Sequence, residues 1–191
     1  MLIDILNTIK DWDSKLFLII NSNLSNSFFD SVLPLCREAN TWLPLYLFLL
    51  IFMLMNFGKR AWPWILFIAL TITVTDQLSS SLIKYWVARP RPCHDATLMQ
   101  YAHLLVGCSP SYSFTSSHAT NHFGAALFIY TTLKHHLKKW SYIFLFWAAL
   151  VSYAQVYVGI HYPLDVICGG IMGSFIGYGM ASIFNRRIGL L

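Results

Sequence analysis

The sequence predicts an all-α, polytopic membrane helix bundle, and three observations lead there. Of the 191 residues, 57% are hydrophobic and only 11% are charged, where a soluble domain carries about a quarter charged. The apolar residues gather into runs close to the ~20 that a helix needs to cross a bilayer. The cations gather between those runs rather than along one stripe. Backbone groups in lipid must find partners within their own segment, so each such run is helical.

Five runs read as spans: 42–58, 62–86, 118–134, 141–160 and 163–184. Trp42, Trp62, Trp86 and Trp140 mark several of their edges, as aromatic residues do at a membrane interface. Three connections are basic: Lys59 and Arg60, then "KHHLKKW" at 134–140, then Arg186 and Arg187. The Lys/Arg excess assigns all three to the cytoplasmic side. Alternation puts the long connection 87–117 and the short one around His161 on the opposite, external side. The first 41 residues differ. "LIDILNTIKDW" spaces its apolar residues as an interfacial helix does, and "NSNLSNS" is too polar for a comfortable crossing. Two or three short interfacial helices are expected there, with a sixth span as the alternative.

No linker, repeat or low-complexity tract divides the chain, and no N-terminal stretch has the pattern of a signal peptide. Residues 1–191 therefore read as a single integral-membrane domain: 1–41 the interfacial helices and 42–191 the bundle that carries the candidate site. The net charge of +5 does not indicate nucleic acid, because the basic clusters flank apolar runs instead of forming a binding face.

The external connections carry the chemistry. "KYWVARPRPCHD" (84–95) crowds Lys84, Arg89 and Arg91 among prolines that stiffen the backbone, and arginine presents a fork of donors suited to phosphate. "FTSSHATNHFG" (114–124) precedes a span, with Thr115, Ser116 and Ser117 placed as an N-terminal cap. Helix starts favour anions, and His118 falls in the first turn. In "YVGIHYPLD" (157–165), Pro163 suits the first turn of the last span, which leaves His161 at the mouth between two helices. Asp165, one turn on, is placed to hold one ring nitrogen of His161 and leave the other free as a base or nucleophile. A carboxylate within a span usually has a partner. For Asp76 the expected partner is a serine or lysine on another helix. Two histidines beside an anion cradle, without an acidic metal cluster, point to phosphoryl transfer through a histidine.

These residues resemble the type 2 phosphatidic acid phosphatases, membrane lipid phosphatases that share an active site with vanadium haloperoxidases. "KYWVARPRP" fits K-x-x-x-x-x-x-R-P with Lys84, Arg91 and Pro92. "TSSH" keeps Ser116 and His118 of P-S-G-H. "AQVYVGIHYPLD" keeps His161 and Asp165 of S-R-x-x-x-x-x-H-x-x-x-D. The resemblance runs from about residue 76 to the end. It implies that His161 attacks phosphorus and becomes a phosphohistidine, that Asp165 holds and charges its ring, and that His118 protonates the leaving oxygen. It further implies that Lys84, Arg91, Ser116 and the backbone N–H of Ser117 hold the phosphate oxygens, with no metal or other cofactor. The substrate class is a lipid phosphate or diphosphate: prenyl diphosphate, phosphatidylglycerophosphate, phosphatidic acid or a glycolipid phosphate. A phosphotransferase using the same phosphohistidine and a degenerate phosphate-binding membrane protein are the alternatives.

The chain departs from the third motif, with Ala154 and Gln155 in place of serine and arginine. That removes a full charge from the cradle, and Arg89 is the expected substitute. The cysteines Cys93 and Cys108, with His94 and His103, lack the spacing of a zinc site; a Cys93–Cys108 disulfide is the expectation in an oxidising compartment. Cys36 and Cys168 read as apolar filling. Short loops without a large soluble domain fit a bacterial inner-membrane protein with its active site on the periplasmic face.

Overall fold

The computed structural model describes residues 1–190. Among them every regular element is helical. Helix α1 (Leu2–Leu18) ends in a wider turn at Ile19–Asn23, and α2 (Ser27–Arg37) begins under the cap of Asn26, whose side chain accepts from Phe29 N. Helix α3 (Leu43–Phe57) turns through Gly58–Arg60 into α4 (Ala61–Asp76). That helix continues through a π-helical stretch, Gln77–Ile83, into α5 (Lys84–Val87). After the long connection come α6 (Ser117–Leu137), α7 (Tyr142–Tyr157) and α8 (Pro163–Arg187). The helical bounds follow the five apolar runs to within a few residues.

The arrangement is that of a membrane helix bundle around α6. Its residues Ala119, Ala126, Phe128, Ile129 and Leu133 are all buried, the last four packing with Met53, Trp64, Phe144 and Phe184 of the neighbouring helices. The outward faces of the surrounding helices are apolar and bare. Phe48 and Ile51 on α3, Leu66 on α4, Phe146 on α7, and Ile171 and Phe175 on α8 are all exposed. A monomer in water rarely shows such a belt; a lipid-facing surface does.

Helices α6 and α8 meet closely, and glycines permit it. Gly169, Gly173 and Gly177 recur every fourth residue on one stripe of α8. A methyl group at Gly173 would stand only 2.1 Å from the Thr120 carbonyl oxygen, and one at Gly177 2.1 Å from that of Gly124. Small residues at this spacing let two backbones meet. The consequence is positional: the N-termini of α6 and α8 come side by side at one end of the bundle, and Ser116 N donates to the Asp165 carbonyl at 3.0 Å. The basic connections collect at the other end, where Arg60 donates to Leu190 O at 3.2 Å and His136 packs on Phe57.

The N-terminal segment is folded onto the site end. On α1 the buried positions are Asp13 and Phe17, while Ile3, Ile9 and Trp12 lie exposed. Asn21, fully buried, donates to His103 O and Tyr157 O at 2.8 and 2.7 Å and accepts from His103 N. Tyr157 in turn donates to Asp30 at 2.7 Å.

Candidate active site

The long connection between α5 and α6 is built to hold one guanidinium. Ser113 N donates to Arg89 O, and the Ser113 hydroxyl reaches back to Pro90 O. A disulfide joins Cys93 to Cys108. With both sulfurs in that bond, neither is available as a thiolate for the zinc ligation weighed from the sequence. Arg91, only 4% exposed, is fastened on three sides. Its Nε donates to Ser111 O at 2.8 Å, its Nη2 to the Ser111 hydroxyl at 2.9 Å, and its Nη1 to Ile160 O at 3.0 Å.

The same Nη1 lies 3.2 Å from Nε2 of His161. Arginine can only donate, so Nε2 is the accepting nitrogen and the ring proton belongs on Nδ1. That nitrogen faces Asp165, with Oδ2 at 3.5 Å, longer than a strong hydrogen bond. Burial pulls the imidazole of His161 down from its ordinary value to about 4, with Asp165 opposing. The ring is therefore neutral near pH 7, with one lone pair directed at an arginine.

Asp165 is completely buried and held from several directions. Oδ2 accepts from Tyr162 N at 2.9 Å, which caps α8 from inside its first turn. Oδ1 accepts from Arg89 Nη1 at 2.8 Å. The other arm of Arg89 donates to Asp13 Oδ2 at 2.7 Å, its plane lies 3.8 Å over the Tyr162 ring, and Asp13 Oδ1 accepts from Leu164 N. Both arms of Arg89 are thus engaged by carboxylates, which leaves neither free to stand in for the arginine absent at Gln155, as was expected of it.

The start of α6 completes the group. Ser116 caps the helix, its hydroxyl accepting from Ala119 N at 3.5 Å. Ser117 is anchored by Ser80 at 2.7 Å and Ser79 at 3.2 Å, and Ser80 and Asn121 both donate to Asp76. Asp76 is thus a helix–helix contact, but through Asn121 of α6 rather than a serine or lysine; its serine partner, Ser80, lies four residues on in the same continuous helix. His118 stacks over His122 at 6.2 Å between ring centres, and its carbonyl pairs with His122 Nδ1. Both His161 and Lys84 lie within electrostatic reach of His118. Lys84 is itself buried at the head of α5, within the field of Arg91 and Asp165. Gln155 is fully buried and neither end of its amide has a hydrogen-bond partner among the described residues.

The structure therefore gathers Lys84, Arg91, Ser116, Ser117, His118, His161 and Asp165 at one end of the bundle. Sequence reasoning missed the support behind them: Asp13, Asn21 and the glycine stripe of α8. The glycine spacing was a readable signal; the polar contacts of α1 were not, since their partners lie far along the chain.

Comparison with known proteins identifies the family. The model of the PAP2 superfamily matches residues 60–188. A lipid A 4'-phosphatase of Bacteroides thetaiotaomicron is 33% identical over 174 residues, covering 89% of this chain and 76% of that protein. A lipid A 4'-phosphatase of Porphyromonas gingivalis is 30% identical over 183 residues, covering 92% and 74%. The crystal structure of a transmembrane PAP2-type phosphatidylglycerolphosphate phosphatase from Bacillus subtilis superposes with a TM-score of 0.71 at 23% identity, over 95% of this chain and 88% of that one, which speaks for the fold. The membrane bundle, the three ordered motifs and the matched residues lead to one conclusion: the chain belongs to the PAP2 superfamily, and with it to the membrane lipid phosphatases.

Proposed function

We propose that the protein removes a phosphate from a phosphorylated glycolipid at the external face of a bacterial inner membrane, through a phosphohistidine at His161. The observation that carries the mechanism is the contact of Arg91 with His161 Nε2, with Nδ1 turned to a buried carboxylate. It supports a neutral nucleophile beside a donor already placed for phosphate oxygens. The Nε2 lone pair attacks phosphorus, the P–O bond to the lipid breaks, and His118 gives the leaving oxygen its proton. A water molecule, deprotonated by His118, then attacks phosphorus. The P–N bond breaks, and its electrons return to Nε2. Asp165 balances the charge on the ring throughout. Lys84, Arg91, the Ser116 hydroxyl and the Ser117 N–H hold the oxygens, and such preorganised donors are the main source of acceleration in phosphoryl transfer.

Two features support the lipid class. Both relatives above are named lipid A 4'-phosphatases. An apolar groove of about 820 Å³ runs between α1, α6, α7 and α8, lined by Leu16, Phe123, Val156, Val166, Ile167 and Phe175. It starts beside Asp165 and opens toward the lipid-facing belt, so acyl chains lie there while the headgroup meets the histidines. The basic connections at the opposite end support an external site.

The test is phosphate release by purified protein in EDTA from a glycolipid phosphate, a prenyl diphosphate, phosphatidylglycerophosphate and phosphatidic acid, beside His161→Ala. Release that survives chelation, favours the glycolipid and vanishes in the variant is expected. Undiminished turnover by His161→Ala would sink the mechanism, and preference for another member of the panel would sink the substrate.

A further inference from the structure

The family's third motif supplies an arginine where this chain has Gln155, and Arg89 is engaged elsewhere, so the cradle is one cation short of the family pattern. Arg37, at the end of α2, is the candidate for that cation. It is the last residue of α2, a helix that packs on α7 through Leu33 against Ala154 and Tyr157, with Cys36 alongside. Trp42, which donates to Cys36 O at 2.7 Å, lies 5.8 Å from the Trp147 ring, and Trp147 lies 4.7 Å from His122. Trp147, Val151 and Gln155 follow one another at every fourth position of α7. The end of α2 is thereby joined to the face of α7 that carries Gln155 and to the helix turn that carries His118.

Arg37 is not spent on a strong partner. Its side chain is 17% exposed, and its Nε is buried without a hydrogen bond among the described residues. Its one ion pair among the described residues is with Glu38, adjacent in sequence and 57% exposed, at 3.1 Å, a kind of contact worth little. Its charge is near enough to be felt by both Arg91 and His118. A cation facing other cations, with a free donor and a buried neutral amide nearby, is a constellation completed by an anion.

We infer that Arg37 binds the phosphate of the substrate, replacing from α2 the arginine that α7 lacks. The guanidinium donates to a non-bridging phosphate oxygen, and the Gln155 amide contributes a neutral hydrogen bond. This rests on the phosphatase reading above and adds to it a residue outside the three motifs.

The experiment measures kcat/KM on the preferred lipid phosphate, inhibition by inorganic phosphate, and thermal midpoint, for wild type, R37M, R37K and R37M/Q155R. Loss of one preorganised charged donor lowers kcat/KM by about a hundredfold. R37M is expected to show that loss and to weaken phosphate inhibition at least about tenfold, with R37K in between. Returning the arginine at position 155 recovers at least about tenfold of the activity, which a purely structural role of Arg37 would not allow. R37M within about threefold of wild type in both activity and phosphate inhibition overturns the inference. So does a loss of activity with unchanged phosphate inhibition. Should R37M/Q155R not fold, phosphate inhibition of R37M against R37K decides. A wild type that hydrolyses no lipid phosphate strikes the reading above instead; phosphate-induced thermal stabilisation, present in wild type and lost in R37M, then still carries Arg37, and its persistence in R37M removes it.

Discussion

Replacing Gly173 by alanine tests whether the seam between α6 and α8 sets the geometry of the site. The new Cβ would lie 2.1 Å from Thr120 O, 2.9 Å from Thr120 C and 3.0 Å from Gly124 N. A carbon–oxygen contact settles at about 3.4 Å, so the helices must part by roughly 1 Å. The obstacle is backbone, which no rotamer change relieves. Overpacking of this kind costs about 1–3 kcal/mol, set against the roughly 1 kcal/mol by which alanine outperforms glycine within a helix. The net fall in stability is small, about 0–2 kcal/mol. The effect on chemistry is larger, because His118 rides on α6 while Asp165 rides on α8 and fixes His161. A misplacement of 1 Å costs on the order of a hundredfold in rate. Gly179→Ala is the control: it lies on the same helix, and its methyl group meets nothing within 4 Å. The assay is kcat/KM on a lipid phosphate in detergent, beside the thermal midpoint. Gly173→Ala should lose about two orders of magnitude in kcat/KM while Gly179→Ala retains wild-type activity and gains slightly in midpoint. If Gly173→Ala kept a third of wild-type activity and melted no lower than Gly179→Ala, the glycine seam would not be what aligns the site.

Removing Arg89 leaves Asp13 and Asp165 as buried carboxylates without their cation, at a cost of about 3–5 kcal/mol. Arg89→Ala should melt well below wild type, and Asp13→Asn in the same chain should recover part of the loss; strict additivity of the two would show that the bridge is not coupled. Burial pulls the His161 imidazole down to about 4, so the neutral ring that the proposed mechanism needs should be present throughout the range 5–8. The acid limb of kcat/KM should fall below the ordinary histidine value of ~6.5, and a limb at 6.5 or above would contradict the burial of the ring. The sign for stability is the same: the unfolded chain binds this proton more readily, so the contribution of His161 to stability declines as pH falls from about 6.5 towards 4. Breaking the Cys93–Cys108 disulfide opens a loop of 15 residues, for which the chain-entropy cost is about 3 kcal/mol. Cys93→Ser should lower the thermal midpoint and abolish the mobility shift on reduction, and a wild type indifferent to reductant would remove the bridge from consideration.

What could be read from the sequence depended on the range over which each signal acts. The spans were legible because lipid imposes long apolar runs, and Pro163 marked the start of α8 to the residue. His161 and Asp165 were legible because their contact is one helical turn. The direction of Arg89 was not. Sequence reports a charge near two others but not which way its long side chain turns, and its partner Asp13 lies at the far end of the chain. The same holds for Asn21, whose two carbonyl partners belong to the long connection between α5 and α6 and to α7. In the first 41 residues a pattern of alternating polar and apolar residues suggested a helix at an interface, and the structure turns Asp13 inward there while leaving Trp12 outside. Periodicity ranks faces by polarity, and a buried carboxylate answering an arginine inverts the ranking.

The contact between Arg91 and Nε2 of His161 has a consequence for the idle enzyme. In the proposed mechanism, a lone pair engaged by a guanidinium proton is not free to attack, so the resting histidine would be capped. An anion entering the site would compete for that same proton, and as the guanidinium turned from nitrogen to oxygen the ring would be released. Arrival of phosphate and exposure of the nucleophile would then be one event. A greasy molecule without a phosphate, drifting in from the bilayer, would find the histidine still sheathed.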